Sequence, residues 1–246
     1  MTTPSGVERG GVSLSTVLLQ VCFTAMALVL WQEPIIQPIK LLVVLLHEMS
    51  HGLMALASGG TVHDIIITPD EGGACRSTGG NGLLVAGAGY LGSMFFGGMI
   101  LRAARGGSSV PVTFAVLALL LLGAAVTVLQ DSYSRTFAFA VAGAFIFFGL
   151  LAPGFLGAVA LRAIGTVSCL YALFDIYSDL VAGEGGAGSV PNDAEAFASL
   201  TGIPAETIGL LWLVVSAAFL LAIVRASLDA PPQPARTAAP AATRAA

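Results

Sequence analysis

The chain has 246 residues, of which 56% are hydrophobic and 10% charged, with a formal net charge of −4. Soluble domains carry about 25% charged residues, so this composition, with a mean hydropathy of +0.90, points to a membrane protein. The small acidic balance and the lack of a basic run exclude nucleic acid as a partner.

Seven apolar segments follow in chain order: 14–31, 36–57, 83–101, 112–129, 136–152, 155–178 and 207–224. Each approaches the ~20 residues needed to cross a hydrocarbon layer of ~30 Å. The first ends in Trp31 without a small-residue cleavage site, so it reads as a span and not as a cleaved signal. Pro153-Gly154 is a turn or a kink between the fifth and sixth segments. With a kink, Arg162 would mark the interface. The expected fold is an all-α polytopic bundle of about six to seven transmembrane helices. A tail over 1–13 precedes the domain over 14–225. The Pro/Ala-rich tail over 226–246 is expected to be disordered.

Two loops are long. Gly59 to Gly82 contains Thr61-Val62-His63-Asp64-Ile65-Ile66-Ile67-Thr68, a β-branched run between glycine pairs. It predicts one or two strands near the membrane surface. The acidic, Gly-rich stretch from Asp179 to Glu206 contains Asn192-Asp193, which reads as an N-cap opening a short surface helix. Cys22, Cys75 and Cys169 are scattered and form no disulfide framework. Cys75 is the one placed in a loop.

The second segment carries His47-Glu48-Met49-Ser50-His51 between Leu-Leu-Val-Val-Leu-Leu and Gly-Leu-Met-Ala-Leu-Ala. On a helix, His47 and His51 share a face and can hold one Zn²⁺. Glu48 lies about 100° around the helix, where it can take a proton from water at the metal. Ionisable groups at membrane depth each cost at least ~2.5 kcal/mol, which makes such a cluster functional by default.

A catalytic zinc takes three protein ligands and leaves one position open. By parity, the sixth segment ends on the same face as the second. That brings Asp175 and Asp179 to the depth of the histidines. Asp175, deep in an apolar stretch, is the expected third ligand, and Asp179, one turn on, is a partner that orients a ligand. His63, beside Asp64 in the first loop, reads as a solvated histidine. Gly89, Ser93 and Gly97 repeat every four residues, a small-residue stripe that lets helices approach closely. The Ser93 hydroxyl could also face a bound peptide.

These residues resemble the site-2 protease family of intramembrane zinc metallopeptidases, in particular its compact branch. HEMSHG in an apolar helix, the GGTVHDIIIT loop, GAGYLGS, FDIYSDL, NDAEAF and LLWLVVS carry the resemblance. It implies a zinc-dependent endopeptidase that acts on peptide bonds in or near transmembrane segments of membrane-protein or peptide substrates. Phe174-Asp175-Ile176 stands where better-studied members have Leu-Asp-Gly, so Asp179 remains the substitute for Asp175. A pseudo-peptidase scaffold and a zinc hydrolase of non-peptide substrates are the alternatives. Arg9, Arg76 and Arg135 fall on the face where the second segment ends. Lys40, Arg102, Arg105, Arg225 and the tail arginines fall on the other. The positive-inside rule makes the first face external; the resemblance implies the opposite, in a multi-pass protein of the cell membrane.

Overall fold

The computed structural model describes residues 14–182 and 191–228. The 1–13 tail, most of the Pro/Ala-rich tail and the middle of the acidic loop lie outside the described residues. The elements run α1 (Leu14–Val29), α2 (Gln37–Ala57), β1 (Thr61–Ile67), β2 (Gly73–Thr78), α3 (Gly82–Ala86), α4 (Ala88–Ala103), α5 (Ser109–Thr127), α6 (Ser132–Leu150), α7 (Gly154–Ala182), α8 (Asp193–Thr201) and α9 (Ala205–Leu228).

The fold is the expected all-α polytopic bundle with a small sheet. Among the described residues, five helices are long and apolar enough to span: α2, α5, α6, α7 and α9. The expectation was six to seven. Helices α1 and α4 have 16 residues each, about 24 Å of rise, which is short of the hydrocarbon core. The most apolar window of α2 is 72% buried, against 22% for α6 and α9. Helix α2 is therefore interior, and the other two face outward.

Local chemistry sets the ends. Pro38 sits in the first turn of α2, where a missing N–H costs nothing. The Asp131 side chain caps α6 by accepting from Ser134 N at 2.8 Å, which satisfies an otherwise orphaned donor. Helix α6 ends at Leu150 and α7 starts at Gly154, so Pro153-Gly154 is a turn. Arg162 consequently does not mark the start of a helix. It is buried in α7, and its Nη1 donates to Gln20 Oε1 of α1 at 2.8 Å. Gln20 Nε2 in turn donates to Thr166 Oγ1 at 3.0 Å.

The strands form one antiparallel hairpin, with Ile65 opposite Cys75 and Ile67 opposite Gly73. It does not lie on a surface beyond α2 but runs back along that helix. At its tip, Gln37 Nε2 donates to the Pro69 carbonyl at 2.6 Å, and Lys40 Nζ meets Glu71 Oε1 at 3.1 Å. Two features hold it there. Ile65 and Ile67 are buried, and the outer edge of β1 is satisfied by the α5–α6 connection. Ile65 N donates to the Val128 carbonyl at 2.9 Å, and Ile67 N donates to Ser134 Oγ at 2.8 Å.

Helix α4 packs against α2, α7 and α9 through small residues. A Cβ at Gly165 of α7 would lie 2.5 Å from Leu101 N, so the two backbones are in direct contact. By contrast, a Cβ at Gly123 of α5 would meet nothing within 4 Å. Gly165→Ala should therefore destabilise by about 1–3 kcal/mol through overpacking. Gly123→Ala should stabilise by about 0.5–1 kcal/mol through helix propensity. Thermal melting of the purified protein in detergent checks both; equal melting temperatures for the two variants would contradict this packing.

Candidate metal centre

Helix α2 sets the two imidazoles four residues apart, with ring centroids 4.9 Å apart. The His51 Nδ1 lies 2.7 Å from the Val85 carbonyl. A carbonyl only accepts, so Nδ1 carries a proton and Nε2 is the nitrogen turned to the site. That nitrogen points to the carboxylate of Asp193, the first residue of α8. His51 Nε2 lies 3.1 Å from Asp193 Oδ1, and His47 Nε2 lies 3.2 Å from Asp193 Oδ2. One ligand atom from each of the three residues lies within 4.8 Å of the others.

Three observations test whether this trio fits a metal. Its donor set, two imidazoles and a carboxylate, is a zinc set with one position left over. The Asp193 Oδ2 is buried and has no well-aligned hydrogen bond, its close polar neighbour being His47 Nε2 at 3.2 Å; a buried carboxylate oxygen so placed is suited to coordination. Finally, a Cβ at Gly89 of α4 would fall well inside van der Waals contact with His47 Nε2, His51 Nε2 and Asp193 Oδ2. The glycine leaves open the point on which the three donors converge. The residues present fit the ion.

Asp193 is held in place from both sides. Asn192 caps α8, accepting from Glu195 N at 2.9 Å, while Glu195 Oε2 accepts from Asn192 N at 3.1 Å. This reciprocal capping box fixes the first turn. Helix α8 docks through Phe197 on Trp212 of α9, with centroids 5.4 Å apart, and Trp212 packs on Tyr90 of α4 at the same spacing. Burial works against ionisation of Asp193, but His47 and His51 outweigh it and hold its carboxyl down at about 2.

Glu48 lines a cleft of about 480 Å³ together with His51, Cys75, Ser77, Val85 and Asp193. A Cβ at Gly73 would press on Glu48 Oε1, so the strand comes close to the carboxylate. The Cys75 thiol in the same cleft is pushed up to about 12, chiefly by burial. It stays a thiol at neutral pH.

The structure distributes the other expected site residues differently. Asp175 does not join the trio: its Oδ2 lies 3.9 Å from His47 Nδ1, on the far side of that ring from Asp193. A carboxylate on a parallel neighbouring helix reaches the side of the imidazole that faces that helix. Asp193 arrives over the other side on the chain's return. Asp179 accepts a hydrogen bond from the Tyr90 hydroxyl, and the Tyr90 ring stands edge-on to His47 at 5.3 Å. Ser93 is buried and donates back to the Gly89 carbonyl at 3.0 Å, so its hydroxyl is spent within α4 and does not face a peptide. His63 sits at the bulge of β1, exposed, with Nε2 2.9 Å from Thr78 Oγ1.

Sequence reasoning passed over Asp193, Gly89 as a cradle, and Tyr90. The Asn192-Asp193 pair marks the helix start correctly, but its capping chemistry hides the second role of the carboxylate. The available signal is a carboxylate at the first position of a helix that continues with Ala194, Ala196 and Phe197, a residue type and place that suit metal contact as well as capping.

No curated protein and no solved structure matches the chain. A family model described as Peptidase M50B-like matches residues 20–223, which takes in α2, the hairpin, α4, α7, α8 and most of α9. The chain belongs to the Peptidase M50B-like family, a site-2-protease-like family of peptidases.

Proposed function

We propose that this protein is a zinc-dependent intramembrane endopeptidase with His47, His51 and Asp193 as metal ligands and Glu48 as the general base. The observation that carries the reading is the convergence of three donors on the space left by Gly89, with Glu48 in the adjoining cleft. A bound Zn²⁺ would supply Lewis-acid polarisation of the scissile carbonyl and acidify water to a pKa near ~7.

The chain's own residues supply the rest. Glu48 accepts the proton of the attacking water and delivers it to the leaving amine, a role that needs a carboxylate close to, but not on, the metal. Val85 holds the His51 tautomer. Asp175 faces Nδ1 of His47 and orients that ring as carboxylates behind metal-bound imidazoles do. The cleft supplies a polar route for water into an apolar bundle.

The hairpin suggests how a substrate lies. The N–H groups of Ile65 and Ile67 point away from β2, toward Val128 and Ser134. By alternation, the backbone groups of Gly73, Cys75 and Ser77 point away from β1, toward the cleft. Among the described residues, these groups bond to no other element. An extended peptide would complete this edge as an added strand, with its carbonyls free of the helical bonds that otherwise hide them. A membrane-protein segment unwound near its end fits this description.

Metal content separates the ligands. Wild-type protein purified with zinc should carry one ion per chain. Asp193→Ala and Gly89→Ala should both lose it, the first by deleting a donor and the second by filling the site, with helical circular dichroism retained. Asp175→Asn should still bind zinc, with affinity weakened by about 10–100-fold as an outer partner is lost. Stoichiometric zinc in Asp193→Ala would remove Asp193 from the ligand set.

Activity separates the base. With a transmembrane peptide in detergent as substrate, Glu48→Gln should keep its zinc and lose about 10²–10⁴-fold in cleavage rate. Wild-type cleavage by this variant would rule out Glu48. Zinc binding without any cleavage by the wild type would favour the scaffold reading.

A further inference from the structure

The α4–α5 connection spans only residues 104–108, yet the two helices diverge and leave a crevice of about 670 Å³ between them. Its walls are apolar, with Phe95 and Met99 on α4 and Val112 and Val116 on α5, all about half exposed. Its end is cationic, because Arg102 and Arg105 both line it there. Among the described residues, the Arg102 guanidinium meets an acceptor without formal charge: its Nη1 lies 3.4 Å from the Ala226 carbonyl of α9. Helix α5 begins at this end without a side-chain cap, so the positive end of its dipole lies at the same place. Ser109 Oγ donates to the Ala103 and Gly106 carbonyls at 2.9 and 2.7 Å, which fixes the mouth of the crevice.

Length identifies the occupant. From Ser109 to Leu120 the crevice follows α5 for roughly 16 Å at 1.5 Å per residue. That is half of a hydrocarbon core of ~30 Å, the depth of one leaflet. A spanning helix about 30 Å long and 10 Å across would need several times this volume. A free phosphate would leave the apolar walls unused. Anionic headgroups at a membrane face attract basic pockets between helices.

We propose that the crevice between α4 and α5 binds one anionic phospholipid, its phosphate at Arg102 and Arg105 and an acyl chain along Phe95, Met99, Val112 and Val116. The site is distinct from the metal centre and does not depend on catalysis. Its role follows from position: α4 carries Gly89 and Tyr90, so a lipid wedged between α4 and α5 braces the helix that cradles the metal.

Native mass spectrometry of the full-length protein in detergent tests this, with phosphatidylglycerol or phosphatidylcholine added at equal concentration. One phosphatidylglycerol should be retained in preference to phosphatidylcholine by at least about tenfold. Arg102→Gln with Arg105→Gln should erase that preference. Arg225→Gln removes a charge at the same end outside the crevice and should leave it intact. Val116→Trp keeps the charges, fills the crevice and should expel the lipid. Equal retention of the two lipids, an unchanged preference in the double variant, or full retention in Val116→Trp would each overturn the proposal. Retention of glycerol 3-phosphate equal to that of phosphatidylglycerol would make this a free-phosphate site and overturn it as well.

Discussion

Two imidazoles and a glutamate on the interior helix α2 meet water only through the cleft, and hydrocarbon offers no partner. The imidazoles must be met by protein, and the surrounding elements are placed so that they do this. Val85, in the short helix α3, takes the proton side of His51. Asp175 of α7 stands by one nitrogen of His47, and Asp193 of α8 stands by the other. The hairpin runs back along α2 and brings Gly73 onto the Glu48 carboxylate. If α2 carried leucines at 47 and 51, none of these elements would need to come so close.

Close approach depends on small residues, and α4 is where they concentrate. Gly89 leaves room for the donors, Gly92 accepts the Ser50 side chain of α2, and Gly97 lies against Ser168 and Cys169 of α7. One face of one helix thus sets the distances among α2, α7 and the metal centre. The aromatic chain Tyr90–Trp212–Phe197 extends this control to α9 and α8. A disturbance of α4 anywhere along its length would reach the ligands through these contacts. For the same reason, what fills the space between α4 and α5 bears on the centre.

Much of this was legible in the sequence because it is periodic or local. Hydrophobic run length located all seven apolar helices. The four-residue spacing of His47 and His51 gave their shared face. Parity alone placed Asp175 at the depth of His47. The small-residue stripe at 89, 93 and 97 marked a packing face. What was not legible depends on long-range return of the chain. The loop and α8 fold back over the site, and no periodicity encodes that path, so Asp193 looked like capping chemistry. The hairpin's position was missed for a related reason. Alternation predicts a strand but not which surface buries Ile65 and Ile67, and here the partners that hold it are Val128 and Ser134, more than sixty residues away in sequence. Arg162 stood out as a charge at a presumed interface because its partner Gln20 lies on a different helix.

The most direct test of the account is an anomalous difference map at the zinc edge from crystals of the zinc-loaded protein. The account predicts one peak per chain, bonded at about 2.0–2.2 Å to the Nε2 atoms of His47 and His51 and to a carboxylate oxygen of Asp193, with Asp175 outside the coordination sphere. A peak bonded to Asp175 in place of Asp193, or no peak between the two histidines, would contradict it.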